Sequence, residues 1–184
     1  MINTTLVTAK KHAYHCLLLA GLALTLVSCA VYVEPSTQVQ TSGRYRISLG
    51  NVIRTFEPDR RAGASYDVGE AIRFRILTTR SGYVTLTAID PDGSVYVLGP
   101  RNVYVEGGVM STLPAARDNI RFTAAPPRGF HRVRASFTPR PTDTTITVYQ
   151  GRRGSEIWTE AIVTEIEPYP TDARDIAETN LFIR

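Results

Sequence analysis

Cys29 is the residue with the most definite chemistry in this chain. It closes the run Leu26-Val27-Ser28-Cys29, an order of aliphatic, aliphatic, small and Cys that fits the bacterial lipobox. A thiol at that place accepts a diacylglyceryl group, and cleavage before it frees an α-amine for a further acyl chain. The leader agrees. Lys10 and Lys11 supply a basic start, and Cys16 to Val27 supply an apolar stretch shorter than the roughly 20 residues of a membrane span. Two or three acyl chains hold a protein at a membrane where one would not. The expected product is anchored to the membrane through lipid on Cys29. Ala30 follows Cys29 in place of the Asp that marks inner-membrane retention by resemblance to enterobacterial sorting, so the outer membrane is expected where the cell has two.

The remaining chemistry is sparse. Cys16 leaves with the leader and Cys29 is lipidated, so no thiol remains for a disulfide, a zinc site or a nucleophile. His12 and His15 also leave, and His131 alone is left. That excludes a metal centre built from several imidazoles, and no metal or cofactor is expected. His131 shares the inward parity of Val133. With no nucleophile motif near it, it reads as a buried histidine satisfied by a hydrogen bond rather than a catalytic base. Asp90, Asp92 and Gly93 resemble the start of a calcium loop, but the further oxygen ligands do not follow, so the segment reads as a turn. Glu160, Glu165 and Glu167 are the best acid–base candidates, on a face read as solvated. No catalytic residue is expected.

Arginine is the other group able to do chemistry. Arg73 and Arg75 share one strand face, Arg132 and Arg134 share another, and Arg121 is similarly placed. If these strands adjoin, they form a guanidinium surface for phosphate or carboxylate groups of a glycan, a lipid headgroup or a partner. The plainer reading is a solvated sheet face whose long stems cover their neighbours. Trp158 and the tyrosines offer either sugar stacking or packing, and packing is the commoner role in a β-sandwich.

These side chains need elements to position them, and the pattern supplies mainly strands. Tyr45, Ile47 and Leu49 alternate with polar residues, as do Ile72, Phe74 and Ile76 and the pair Ile120 and Phe122. Tyr83 to Ile89 and Thr144 to Tyr149 are rich in β-branched and aromatic residues, and Val95 to Leu98 and Ala177 to Ile183 read as further strands. In Phe130 to Phe137, Val133, Ala135 and Phe137 take one parity, and Phe130, Arg132 and Arg134 take the other. Asp90-Pro91-Asp92-Gly93 between two such runs predicts a hairpin. Ser155 to Ile166 reads as a short helix with Ile157, Ala161, Ile162 and Ile166 on one face, although its Val, Thr and Ile content also permits a strand. Residues 101–118 read as a loop or irregular edge.

Removing residues 1–28 leaves 156 residues, enough for one domain with a real core. Both lysines go with the leader, so 19 arginines face 17 acidic residues and the formal charge is +2 rather than +4. Net charge gives no support for nucleic-acid binding. Residues 29–43 read as a polar tether and 44–184 as the domain.

The middle of the chain resembles a known family. Tyr66-Asp67-Val68-Gly69-Glu70-Ala71-Ile72-Arg73-Phe74 is similar to its opening pattern. Ser81-Gly82-Tyr83 through Asp90-Pro91-Asp92-Gly93 resembles its hallmark hairpin. Val97-Leu98-Gly99-Pro100-Arg101-Asn102 resembles the segment that follows, with Gly99 and Arg101 as departures. Ala125-Pro126-Pro127-Arg128-Gly129 resembles the entry to a late strand. The family is the bacterial domain of unknown function numbered 4384, matched roughly over residues 54 to 137. The resemblance implies a compact β-sandwich and brings no catalytic residues. The expected architecture is all-β, an Ig-like antiparallel β-sandwich with room for one short C-terminal helix. The expected role is a non-catalytic envelope module binding another envelope protein or a cell-wall component. The alternatives are a carbohydrate- or anion-binding lipoprotein and, third, a cell-wall hydrolase.

Overall fold

The structure is a computed structural model that describes residues 47–143 and 149–184. The leader, Cys29, the tether and most of the expected Thr144 to Tyr149 strand lie outside the described residues. Eleven strands, one α-helix and one 3-10 turn (Thr171–Ala173) are described: β1 (Ile53–Pro58), β2 (Ala64–Tyr66), β3 (Ala71–Ile72), β4 (Phe74–Thr78), β5 (Gly82–Ile89), β6 (Val95–Val97), β7 (Val103–Val105), β8 (Ser111–Leu113), β9 (Phe122–Thr123), β10 (Gly129–Thr138), α1 (Ser155–Ile166) and β11 (Asp175–Ile183). Among the described residues no helix is long and apolar enough to cross a membrane.

The strands form an all-β sandwich. A three-stranded sheet runs in the order β1-β4-β8, and a six-stranded sheet contains β2-β11-β10-β5-β6 with β7 also on β5. All pairings are antiparallel except β2 with β11. A ribbon of β3 and β9 adds Ile72 and Phe122 to the core. The core lies between the sheets: Phe56, Phe74 and Ile76 from the smaller sheet meet Val84, Leu86, Val133, Ala135 and Phe137 from the larger. Phe56 and Phe74 stack with centroids 5.6 Å apart. Within the larger sheet, β5 starts at a glycine because a Cβ on Gly82 would lie 2.3 Å from the ring of Phe137 on the neighbouring β10.

Period-two reading holds on β4. Ile72, Phe74 and Ile76 are buried, Arg73 is exposed, and Arg75 is half-buried. Replacing Phe74, fully buried, by alanine is expected to cost about 3–5 kcal/mol. Arg75→Ala, on the wet face, should cost under about 1 kcal/mol. Denaturant titration of both variants checks this, and equal costs would reverse the assignment.

Other expectations are corrected. Ile47 and Leu49 form no strand. Arg174 donates Nε to Ser48 O at 3.1 Å, Gly50 N donates to Arg174 O at 2.9 Å, and Asn51 with φ 51° ends the extended run. Ile120 is exposed and outside any strand. Residues 101–118 contain the three-residue strands β7 and β8, too short to show a period.

Helix α1 lies over the outer face of the larger sheet. Trp158, Ala161, Ile162 and Ile166 pack with Ile89, Val95, Tyr149 and Ile176 in a second apolar cluster. Trp158, rather than Ile157, belongs to the buried face; Ile157 is exposed. Ser155 is the first helical residue and does not cap; its hydroxyl accepts from Arg132 at 2.7 Å. The larger sheet is therefore covered on both faces over much of β5 and β10.

Candidate functional site

The best-formed candidate lies where β5 runs into the β5–β6 hairpin. Gly93 takes φ 85° and donates to Asp90 O at 2.9 Å, while Asp92 accepts Ser94 N at 2.9 Å and Ser94 Oγ at 3.0 Å. These bonds make the expected turn and occupy both Asp92 oxygens. The turn leaves Asp90 beside β10 and β6. Its Oδ1 accepts from Tyr96 OH at 2.9 Å and meets His131 Nδ1 at 2.8 Å. His131 Nε2 lies 2.8 Å from Pro127 O. A carbonyl only accepts, so Nε2 carries a hydrogen and donates it. His131 is 3 % exposed, on the inward parity its sequence position implies. With both ring nitrogens engaged, neither is aimed at a reacting group. Burial first, then the charge of Asp90, pushes the Tyr96 phenol above its ordinary range and keeps it a donor.

A cleft of about 290 Å³ opens at this triad and runs between the sheets. Leu98, Thr123, Ala125 and Pro126 give its accessible lining over the buried side chains of Phe74, Phe122 and Val133, and Asp90, Tyr96 and His131 stand along it. The arrangement is an apolar slot with one carboxylate fixed in place by two neighbours.

The five arginines do not form one surface. Arg73 and Arg121 flank the paired Ile72 and Phe122 and are exposed, and Arg75 meets Glu57 Oε1 at 2.6 Å. Arg132 and Arg134 belong to the other sheet, against α1. The expected exposed surface is corrected there. Arg134 is fully buried, donates Nε to Glu178 Oε2 at 2.6 Å and Nη1 to Thr159 Oγ1 at 2.9 Å, and stacks 3.8 Å over the Trp158 ring. Arg132 is half-buried, 3.8 Å from Glu178 Oε1 and 5.4 Å from the same ring. The cause is α1, which turns an outward parity into an interior one. Trp158 is no sugar platform: it is fully buried and donates Nε1 to Thr87 Oγ1 at 2.8 Å.

The expected solvated acid Glu165 is also corrected. It is buried; Oε2 accepts from Tyr149 OH, and Oε1 accepts from Thr142 Oγ1 at 3.0 Å and Arg101 Nη2 at 3.4 Å. Asn102 holds Thr142 through its side chain, accepting Thr142 N at 2.9 Å. Burial and the neighbouring carboxylate push the Tyr149 phenol well up. This network ties α1 to two loops. A usable signal was present: Trp158, Ala161, Ile162, Glu165 and Ile166 follow the spacing of one buried helix face.

A further carboxyl couples the sheets. Asp175 Oδ2 accepts Ile53 N at 2.8 Å, and Oδ1 accepts Ile176 N at 2.9 Å. Burial raises its pKa despite these bonds. Folding therefore favours the protonated form. This group's contribution is fully present below the unfolded value, about 3.9, and is lost as pH rises through the raised folded value. Denaturant titrations across that window should show the stability of the native chain falling relative to Asp175→Asn. A relative rise would mean that folding favours the carboxylate.

Fold and site together define a β-sandwich module with a cleft between its sheets. Residues 65–141 match the family described as Domain of unknown function (DUF4384), so this stretch is similar to that domain. The match includes β3 to β10 with Asp90, Tyr96 and His131, and it stops before α1 and before β11, whose Leu181 and Ile183 also line the cleft. No curated protein and no solved structure matches the chain.

Proposed function

We propose that the chain is a non-catalytic interaction module, anchored in a bacterial envelope through lipid on Cys29, that binds another envelope protein or a cell-wall component. The observation that carries this reading is the state of the polar groups at the cleft. Tyr96 and His131 spend their donors on Asp90 and Pro127, and Asp90 is the single carboxylate lining the cleft. A glycoside hydrolase would need a pair of carboxylates facing each other across that space. The reading is tested by crosslinking the anchored protein in intact envelopes and by incubating the purified chain with cell-wall polymer. Saturable joining to one partner supports it; turnover of the polymer would overturn it.

The anchor has its own test. Cys29→Ser should leave the leader uncleaved and the protein without lipid, seen by mass and by acyl labelling. Normal processing and labelling of that variant would remove the lipoprotein reading. A second reading, anion binding, retains Arg73, Arg75 and Arg121 because these lie on the outer side, whereas Arg132 and Arg134 are used by the fold.

A further inference from the structure

We propose that the end of the sandwich at which the described chain begins rests on the lipid bilayer, with the β7–β8 loop (residues 106–110) placing Val109 and Met110 in the membrane interface. The inference deepens the anchored-module reading and rests on lipid at Cys29. Several segments meet at this end. Gly50 N donates to Arg174 O at 2.9 Å, just ahead of β11, and Thr79 N donates to Val52 O at 2.8 Å, just ahead of β1. The β7–β8 loop closes on the β4–β5 turn (residues 79–81). Gly108 N donates to Thr78 O at 2.7 Å, and Gly107 N donates to Ser81 Oγ at 3.0 Å. The approach is so close that a Cβ on Gly107 would lie 2.5 Å from the Arg80 backbone. These bonds set the loop beside residues 50–52, at the end where the chain coming from Cys29 joins the domain.

The side chains of this loop suit lipid. Val109 is 47 % exposed and Met110 48 %, as neighbours after Gly107-Gly108. Tyr104, 55 % exposed, stands on β7 one residue before the loop and meets the Tyr83 ring edge-on at 5.6 Å. Tyrosine is enriched at membrane–water interfaces, where its ring is buried and its hydroxyl stays wet. Arg80 and Arg140 are exposed at the same end, with stems able to lie along apolar surface and heads in water. Glu106 and Asp172, also exposed, offset those charges, and Asp172 pairs with Arg80 at 3.6 Å. The contact is therefore apolar first and needs no anionic lipid. The size of the patch argues against a protein occupant. Three side chains fall far short of the roughly 20–30 residues a side of a stable protein interface. A tethered domain needs much less. Residues 30–46 separate Cys29 from Ile47, and a connection of that length spans at most about 60 Å. Within that reach the loop meets lipid as an intramolecular event, so a contact too weak to form from solution is populated. Val68, Phe130 and Phe182 are exposed as well, but they lie at the opposite end, beyond the eight residues of β5, about 23 Å away. Docking by the loop leaves that end, with Asp90 and His131, facing away from the bilayer and open to a partner.

The test uses the processed, acylated protein purified from membranes and inserted by its own acyl chains into phosphatidylcholine vesicles. Met110→Cys supplies one thiol for a fluorescent label, because Cys16 leaves with the leader and Cys29 is acylated. A fraction of the phosphatidylcholine carries a nitroxide on its acyl chain near the glycerol. The label at position 110 should lose at least half of its emission. The same label at Val68→Cys, at the opposite end, should lose less than a tenth. Val109→Asp should return the signal at position 110 to the level seen at position 68. An unquenched label at position 110, equal quenching at the two positions, or quenching unaffected by Val109→Asp would overturn the docking. The mass of the protein separates the two readings. Acyl chains on Cys29 with an unquenched label sink the docking alone, whereas a chain without them sinks the anchor reading and the docking with it.

Discussion

Trp158→Ala is expected to be among the most damaging truncations of the described residues, costing about 3–5 kcal/mol. Trp158 is fully buried and anchors α1 to the larger sheet. Its loss removes the largest side chain of that interface and leaves a cavity that the neighbours fill only in part. Two further losses follow. Thr87 Oγ1, in a buried residue of β5, loses its Nε1–H donor, and the Arg134 guanidinium loses the ring 3.8 Å below it. The variant should also show faster hydrogen exchange across α1 than across β4, because the inter-sheet core does not touch Trp158. Denaturant titration measures the first effect and exchange the second. A cost below about 1 kcal/mol would mean that α1 contributes little to the fold.

Arg134→Ala is expected to cost about 3–5 kcal/mol as well, from the loss of one partner of a buried pair. The remaining Glu178 side chain is 10 % exposed, so its charge is left in a poor place. Arg73→Ala, at an exposed position on the other side, should cost under about 0.5 kcal/mol. The contrast decides how an arginine series is interpreted. Charge reversal at Arg134 would weaken any binding assay by unfolding the helix–sheet interface, whatever the ligand. Thermal unfolding of each variant before the binding assay separates the two causes. Because Arg134 and Trp158 touch, their double variant should cost less than the sum of the singles.

The same residues show what the sequence disclosed and where it stopped. Alternation placed Phe74 and Ile76 inside and Arg73 outside because that sheet has one dry face and one wet face. Alternation also gave β10 its correct parity, but parity cannot tell a face that meets water from one that meets a helix. Thr85, Thr87, Arg134 and Ser136 are polar and still buried, since α1 and the adjoining segments close over them. Nothing local to β10 announces this. The clue lies 24 residues on, in a helix whose face carries Trp158 and Glu165 at core spacing. The cleft escaped for a related reason. Asp90 was legible as a turn residue and His131 as a satisfied histidine, but 41 positions separate them, and only the pairing of β5 with β10 brings them together.

The position of β11 bears on how the protein comes to be folded at all. Asp175–Ile183 is the last strand along the chain, yet it lies inside the larger sheet, between β10 and β2. Its first residue reaches back 122 positions to hold Ile53. Closing such distant contacts costs loop entropy before any packing is gained, which puts β-rich folds of this kind toward the slow end, about milliseconds to seconds. A chain emerging from a transport pore N-terminus first would present β10 with its pairing edge open until Asp175 and the residues after it appeared. The sheet can close only once β11 is available to pair with both β10 and β2. Over that interval the unpaired edge of β10 is the segment most in need of shielding from other chains.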